Sequence, residues 1–273
     1  MVKIIAMLWE RFSQHKVPDL AAQLSFYFLL SLFPFLLFSL SLLAYLPISS
    51  DLVLSMISHY IPSVALPFVE TNIRRILDIQ RPELLSVSLL LALWSASNGS
   101  HAVIRSLNRA YDVDEERSFI KGRLVALGLV GGLFLLFLVA LLLPVFGRVI
   151  GVWLASFVGL SEQFIQRWET VRWLLSMGVT MVLFLYVYIL APNTSLAIRD
   201  VWPGAILAAI GWQGVSYGFS YYVDHFGRFS VMYGGIGGIV IFMLWLYLTG
   251  MVLLLGGEFN STLKLTRDRK HVP

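Results

Sequence analysis

Apolar residues run through this chain in long blocks, not in the short alternation of a half-buried strand. Six blocks are visible, near residues 24–46, 84–104, 124–143, 171–191, 204–223 and 236–257. Each approaches the ~20 residues a helix needs to cross ~30 Å of hydrocarbon. The pattern predicts an all-α, polytopic membrane protein with six transmembrane helices in a single domain over residues 1–273. Amphipathic segments fill the gaps. In residues 1–18, Ile4, Ile5, Leu8, Trp9 and Phe12 share one helical face, with Lys3, Glu10, Arg11 and Gln14 away from it. That suits a helix lying in the interface, although a helix packed on the bundle shows the same pattern. Pro18 breaks the chain before the first span, and Pro34 should kink that span. Two further amphipathic patterns, near Asp51–Tyr60 and Leu66–Ile79, predict short helices, and Trp153, Phe157, Phe164 and Trp168 suit a membrane interface.

The second block turns polar while it should still be inside lipid. In WSASNGSHAVIRSLNRAYDVDEER, from Trp94 to Arg117, the residues Ser97, His101, Arg105, Asn108 and Asp112 fall on one helical face. Val103, Leu107 and Ala110 fall on the other. A charge at the centre of a bilayer costs about 2.5–3.5 kcal/mol on insertion scales, so such a stripe must face protein or water. The fifth block has two faces as well. Gly204, Ala208, Gly211 and Gly218 would let another helix approach closely. Gln213, Ser216, Ser220 and Asp224 form a polar stripe opposite them. The third block is almost purely apolar and reads as a lipid-facing wall. The glycines from Gly234 to Gly238 are either a joint or a packing surface.

Composition sharpens this picture. Charged residues make up 13% of the 273-residue chain and hydrophobic ones 58%; soluble domains carry about 25% charged residues. Most of the basic residues fall in alternate connections. Lys3, Arg11 and Lys16 precede the first span, Arg105, Arg109, Arg117, Lys121 and Arg123 lie after the second, and Arg199 lies between the fourth and fifth. Lys264, Arg267, Arg269 and Lys270 follow the sixth, in a tail over residues 261–273. The positive-inside rule then places both termini in the cytoplasm. No cysteine is present, which excludes disulfides and thiolate metal sites, and no cofactor or metal is expected.

The candidate chemistry is binding. Ser97, Asn98, His101, Arg105 and Asn108 could line a substrate cavity with Gln213, Ser216 and Ser220. Arg105 offers a fork that grips two oxygens of an anion, and His101 a group that titrates near physiological pH. Arg105 could instead serve as an internal ion-pair partner of Asp112 or Glu258. The histidines are scattered, and the acidic cluster Asp112, Asp114, Glu115 and Glu116 is flanked by Arg109 and Arg117. A loop ion-pair network explains it without the clustered metal ligands that phosphodiester cleavage needs.

Several runs together resemble the YihY/BrkB family of bacterial inner-membrane proteins: AAQLSFYFLLSLFPFLL, WSASNGSHAVIRSLNRAYDVDEERSF, the APNT turn, PGAILAAIGW and YGGIGGIVIFMLWLYLTGMVLLLGGEFN. They cover most of the chain in the expected order. The resemblance implies six membrane helices with cytoplasmic ends. Members have been labelled ribonuclease BN, and some are linked to virulence or envelope integrity. Two expectations follow. One is a transporter or lipid translocase for an anionic or amphipathic substrate, with membrane lipids as partners and no nucleic acid. The other is a non-transporting envelope scaffold or assembly factor, in which the polar stripes only join helices.

Overall fold

The computed structural model describes residues 2–45, 49–57, 66–135, 162–226 and 229–268. Among them every regular element is a helix: α1 (Val2–Gln14), α2 (Val17–Leu43), α3 (Ser50–Ile57), α4 (Leu66–Leu77), α5 (Pro82–Ala110), α6 (residues 119–135), α7 (Glu162–Leu190), α8 (Ile198–Phe226) and α9 (Phe229–Asp268). Four stretches are long and apolar enough to cross a membrane: Val17–Leu43, Pro82–Ala110, Trp173–Leu190 and Gly237–Asp268. They coincide with the first, second, fourth and sixth apolar blocks. The third block is helical up to residue 135, and its remainder lies outside the described residues, as does the aromatic stretch around Trp153 and Phe157. The fifth block is a helix of the same length as α7 but is not among the four. Its glycines, Gln213 and serines dilute its apolar character.

The chain divides into two compact units, residues 27–99 and residues 1–26 with 100–273. In the first, α2 runs unbroken through Pro34, and the hydroxyl of Ser31 is bonded to the Phe28 carbonyl. The two amphipathic patterns form α3 and α4, which pack through Ala44, Leu54, Ile73 and Leu77. Phe33 on α2 is 75% exposed, and Leu30, Leu36 and Leu90 are exposed as well. Apolar side chains presented outward in such number mark a surface that meets lipid or another protein, not water.

In the second unit, α9 is the spine against which α8 and α1 pack. The small-residue stripe of α8 lies at this crossing. A Cβ on Gly204 would sit 2.2 Å from the Gly256 carbonyl oxygen, and one on Gly211 would touch Val252 at 3.2 Å. Among the described residues, a Cβ on Gly218 would meet nothing within 4 Å. Asn260 of α9 seals the crossing: its Oδ1 accepts from the Gly204 N–H at 2.6 Å, and its Nδ2 donates to the Val201 carbonyl at 3.0 Å. The expected lipid-facing wall also has a packed side. A Cβ on Gly132 of α6 would collide with the Tyr186 ring of α7, and the Tyr186 hydroxyl donates to the Gly128 carbonyl at 2.6 Å. Two adjacent glycines read as apolar filler; one of them is a seat for an aromatic ring.

Candidate functional site

Three consecutive residues of α9 are turned toward different neighbouring helices. Successive side chains on a helix are turned about 100° from one another. Gly256 faces α7 and α8, where a Cβ would meet the Tyr188 hydroxyl and the Gly204 carbonyl. Gly257 faces α5, where a Cβ would sit 2.6 Å from Leu107. The two glycines let α9 come close, and Glu258 is carried beneath the end of α5, only 1% exposed. A carboxylate held there needs a cation.

The cation comes from α1. Arg11 Nε lies 3.1 Å from Glu258 Oε2 and its Nη2 lies 2.9 Å from Asp112 Oδ2. The same guanidinium donates to the Ala110 carbonyl at 2.7 Å and to Ser261 Oγ at 3.1 Å. One turn on, His15 stands on the same helical side, with Nδ1 2.5 Å from Glu258 Oε1 and Nε2 3.2 Å from Asp112 Oδ1. The amphipathic pattern set Arg11 among outward polar residues. In the structure Arg11 is buried, while Ile5 and Trp9 are 65% and 72% exposed. The helix is turned so that Arg11 faces the protein, while Lys3, Glu10 and Gln14 stay exposed.

Two backbone turns aim these groups. After α1 the chain reverses at Lys16, φ 53°, and α2 begins at Val17 with Pro18 in its first turn, a position where the missing N–H costs nothing. The end of α5 closes as a Schellman motif: the Val113 N–H bonds to the Asn108 carbonyl and the Asp112 N–H to the Arg109 carbonyl. The residue that must take the left-handed conformation is Asp112, φ 54°. Aspartate tolerates it better than most side chains.

The motifs of the sequence meet around this point. Asn108 of α5 donates to Glu115 Oε2 at 2.8 Å, and its Oδ1 accepts from the Asn193 N–H at 2.7 Å. Asn193, from the APNT turn, donates in turn to the Asp114 carbonyl. Arg117 donates to the Ala191 and Pro192 carbonyls at 3.2 and 2.6 Å. Burial pushes the Tyr111 phenol well above its usual range, and the carboxylates of Asp200 and Glu258 push it the same way. Asp200 is also buried, which raises its carboxyl, but bonds from Arg267 and the Ala197 N–H prevail and hold it below the usual aspartate value.

Beside the junction is an open pocket of about 420 Å³, lined by His15, Arg105, Asn108, Arg109, Asp112, Val113, Asp114 and Glu115. Arg105 and Arg109, one turn apart, are exposed on its wall. Asp112 and Glu115 are already engaged by Arg11, His15, Asn108 and Arg117. Of the sequence-predicted site residues, Arg105, Asn108 and Asp112 line this pocket. His101 is half-buried near Gly122 of α6. Ser97 and Asn98 belong to the other compact unit; Ser97 is buried, with no partner for its hydroxyl among the described residues. On α8, Ser216 accepts a hydrogen bond from Trp245 Nε1 of α9 at 3.3 Å, Gln213 is half-buried and Ser220 exposed. Glu258 and Asp112 do sit in ion pairs, and their partners are Arg11 and His15, not Arg105. Among the described residues, no group of three or more histidines and carboxylates is placed to hold a metal ion.

Four helices long and apolar enough to cross a membrane mark a polytopic helical membrane protein. The chain belongs to the family described as virulence factor BrkB, whose model matches residues 8–273. It is 47% identical to the ribonuclease-like protein YfkH of Bacillus subtilis, over 97% of this chain and 96% of that one. It is 29% identical to a UPF0761 membrane protein of Tolumonas auensis, over 94% of this chain and 84% of the relative. No solved structure matches.

Proposed function

We propose that this protein is a six-span transporter or lipid translocase of the bacterial inner membrane, taking an anionic or amphipathic substrate at the pocket that Arg105 and Arg109 line. The observation that carries this reading is the pocket itself. Two arginines, with no ion pair among the described residues, stand on an open wall where Asp112 and Glu115 are already paired with other groups. A guanidinium matches a carboxylate or phosphate bidentately. His101 and Ser97 lie further along the same helix, α5, and Gln213, Ser216 and Ser220 on α8 remain candidates for the path onward.

On this reading the junction faces the cytoplasm, with both termini, and α1 lies in the interface. Its exposed Ile5 and Trp9 would then meet lipid. Membrane lipids are the partners and nucleic acid is not. The native absence of cysteine makes topology easy to test. Asp78→Cys should react with an impermeant thiol reagent in spheroplasts, and Ser118→Cys should not. For function, the purified protein goes into liposomes, and translocation of candidate lipids and anions is followed. Arg105→Ala should abolish transport while yield and melting temperature stay close to wild type. Loss of folding in that variant would contradict the proposal. The Ser216–Trp245 bond favours a second reading, an envelope scaffold whose polar residues only join helices; it predicts no translocation at all.

A further inference from the structure

We propose that Arg11, Asp112, His15 and Glu258 form a proton-binding site that latches α1 to α9 and ties the pocket wall to pH. The four side chains close a ring of alternating charge. Arg11 bridges the two carboxylates on one side, at 3.1 Å to Glu258 and 2.9 Å to Asp112. His15 bridges them on the other, at 2.5 Å to Glu258 and 3.2 Å to Asp112.

Counting donors shows what the ring requires. A neutral imidazole has one N–H and one lone pair, and an ionised carboxylate only accepts. Both ring nitrogens of His15 face carboxylate oxygens. With a neutral ring and two ionised carboxylates, one of these contacts would set a lone pair against an acceptor. The ring closes on every side only when it holds one further proton, on the imidazole or on a carboxyl group. With that proton its charges cancel; without it a net negative charge is left beside the buried Glu258, where low dielectric makes the imbalance costly.

Other titratable and charged groups stand around the ring. From α1 the ring is faced by Arg11 alone. From α5 and its turn it is faced by Asp112, the phenol of Tyr111, and the pocket arginines Arg105 and Arg109. The loop that follows adds Asp114 and Glu115, and α9 contributes Glu258 and the Ser261 hydroxyl. The arginines keep their charge, and Glu115 is engaged by Asn108 and Arg117. The exit is through Asp112, whose side chain is 56% exposed while those of His15 and Glu258 are 11% and 2% exposed. On release the proton passes to pocket water and no bond between heavy atoms changes. The His15 side of the ring then opens, Arg11 alone of the two α1-side groups still holds Glu258 and Asp112, and His15 in the pocket wall loses its anchor. This holds whatever the pocket carries, so it stands apart from the transport proposal.

The test uses the full chain in lipid nanodiscs with spin labels on Ser13→Cys and Asp268→Cys. Their distance distribution is recorded from about pH 5 to about pH 9, the range in which histidine-based switches act. A single short distance is expected at the acidic end, with a longer population growing as pH rises. Asp112→Asn should hold the short distance throughout, because an amide can either accept or donate and closes the ring without the extra proton. Glu258→Gln should do the same by the other edge, and Asp112→Asn serves alone if the α9 variant does not fold. A wild-type distribution that never changes would overturn the proposal. So would an Asp112→Asn protein that opens at the same pH as wild type.

Discussion

Arg74 and Arg11 make the same contact in two settings. Arg74 Nη2 lies 2.8 Å from Asp51 and 3.0 Å from Glu70, a geometry as good as that of Arg11. The side chains around Arg74 are 41–76% exposed, whereas those of Arg11 and Glu258 are 10% and 2% exposed. Bond length does not distinguish the pairs; solvent does. Water competes for both carboxylate partners of Arg74 and screens its charge. For Glu258 the alternative to Arg11 is no partner at all. A buried carboxylate that loses its cation costs far more than the intact pair contributes.

The largest effect should therefore follow Arg11→Ala. It leaves Glu258 with His15 alone, at a cost of about 3–5 kcal/mol, and the protein should vanish from the membrane fraction or melt far below wild type. Arg74→Ala should leave the melting temperature where it was. Next come the helix crossings. Asn260→Ala removes two buried bonds at once, and each group left unpaired costs about 1–3 kcal/mol. Gly204→Ala drives a methyl into the α9 backbone, where overpacking typically costs about 1–3 kcal/mol. Gly218→Ala, with open space around it, should be neutral or slightly stabilising. Thermal melts of the five variants in one detergent check the order.

The smallest stability effects at neutral pH belong to the exposed Arg105 and to Asp200. Arg105→Ala should not move the melting temperature, and its effect should appear only in transport. Asp200 contributes through a carboxyl held below its usual value. That stability is present above the ordinary aspartate value of about 3.9 and is lost as pH falls through the lower, folded value. Asp200→Asn should flatten the acid limb of the melting-temperature profile and leave the neutral region level.

The contrast also explains what could be read from the chain. Four apolar blocks became helices long and apolar enough to span a membrane, and the two short amphipathic patterns became helices as well, because length and periodicity decide those elements. Val103, Leu107 and Ala110 are buried, as their spacing requires. In the acidic run after α5, Glu115 lies 3.8 Å from Arg117, as that flank indicated, whereas Asp112 pairs with Arg11 and His15 from outside the loop. Arg11 was misplaced because helical periodicity sorts residues by polarity without saying which side faces protein. Beside lipid the outward side of a helix can be the apolar one, and α1 exposes Trp9 while burying Arg11. The missing signal was pairwise. Glu258 is a carboxylate directly after two glycines in an otherwise apolar helix, so it demanded a cation. Arg11 and His15, one turn apart, were the pair able to surround it. Asn193 and Asn260 escaped for the same reason: an asparagine in a turn or helix reads as polar filler until its partner is known.

The account rests most heavily on Glu258 being a buried charge that Arg11 neutralises, and a double-mutant cycle measures this directly. Arg11→Met, Glu258→Leu and the double variant are melted beside wild type in the same lipid nanodiscs. Each single variant strands an opposite charge, so the double variant should melt above at least Arg11→Met despite carrying one more substitution. If the two losses simply add, Glu258 does not depend on Arg11 for its charge balance, and the central junction is not the one described.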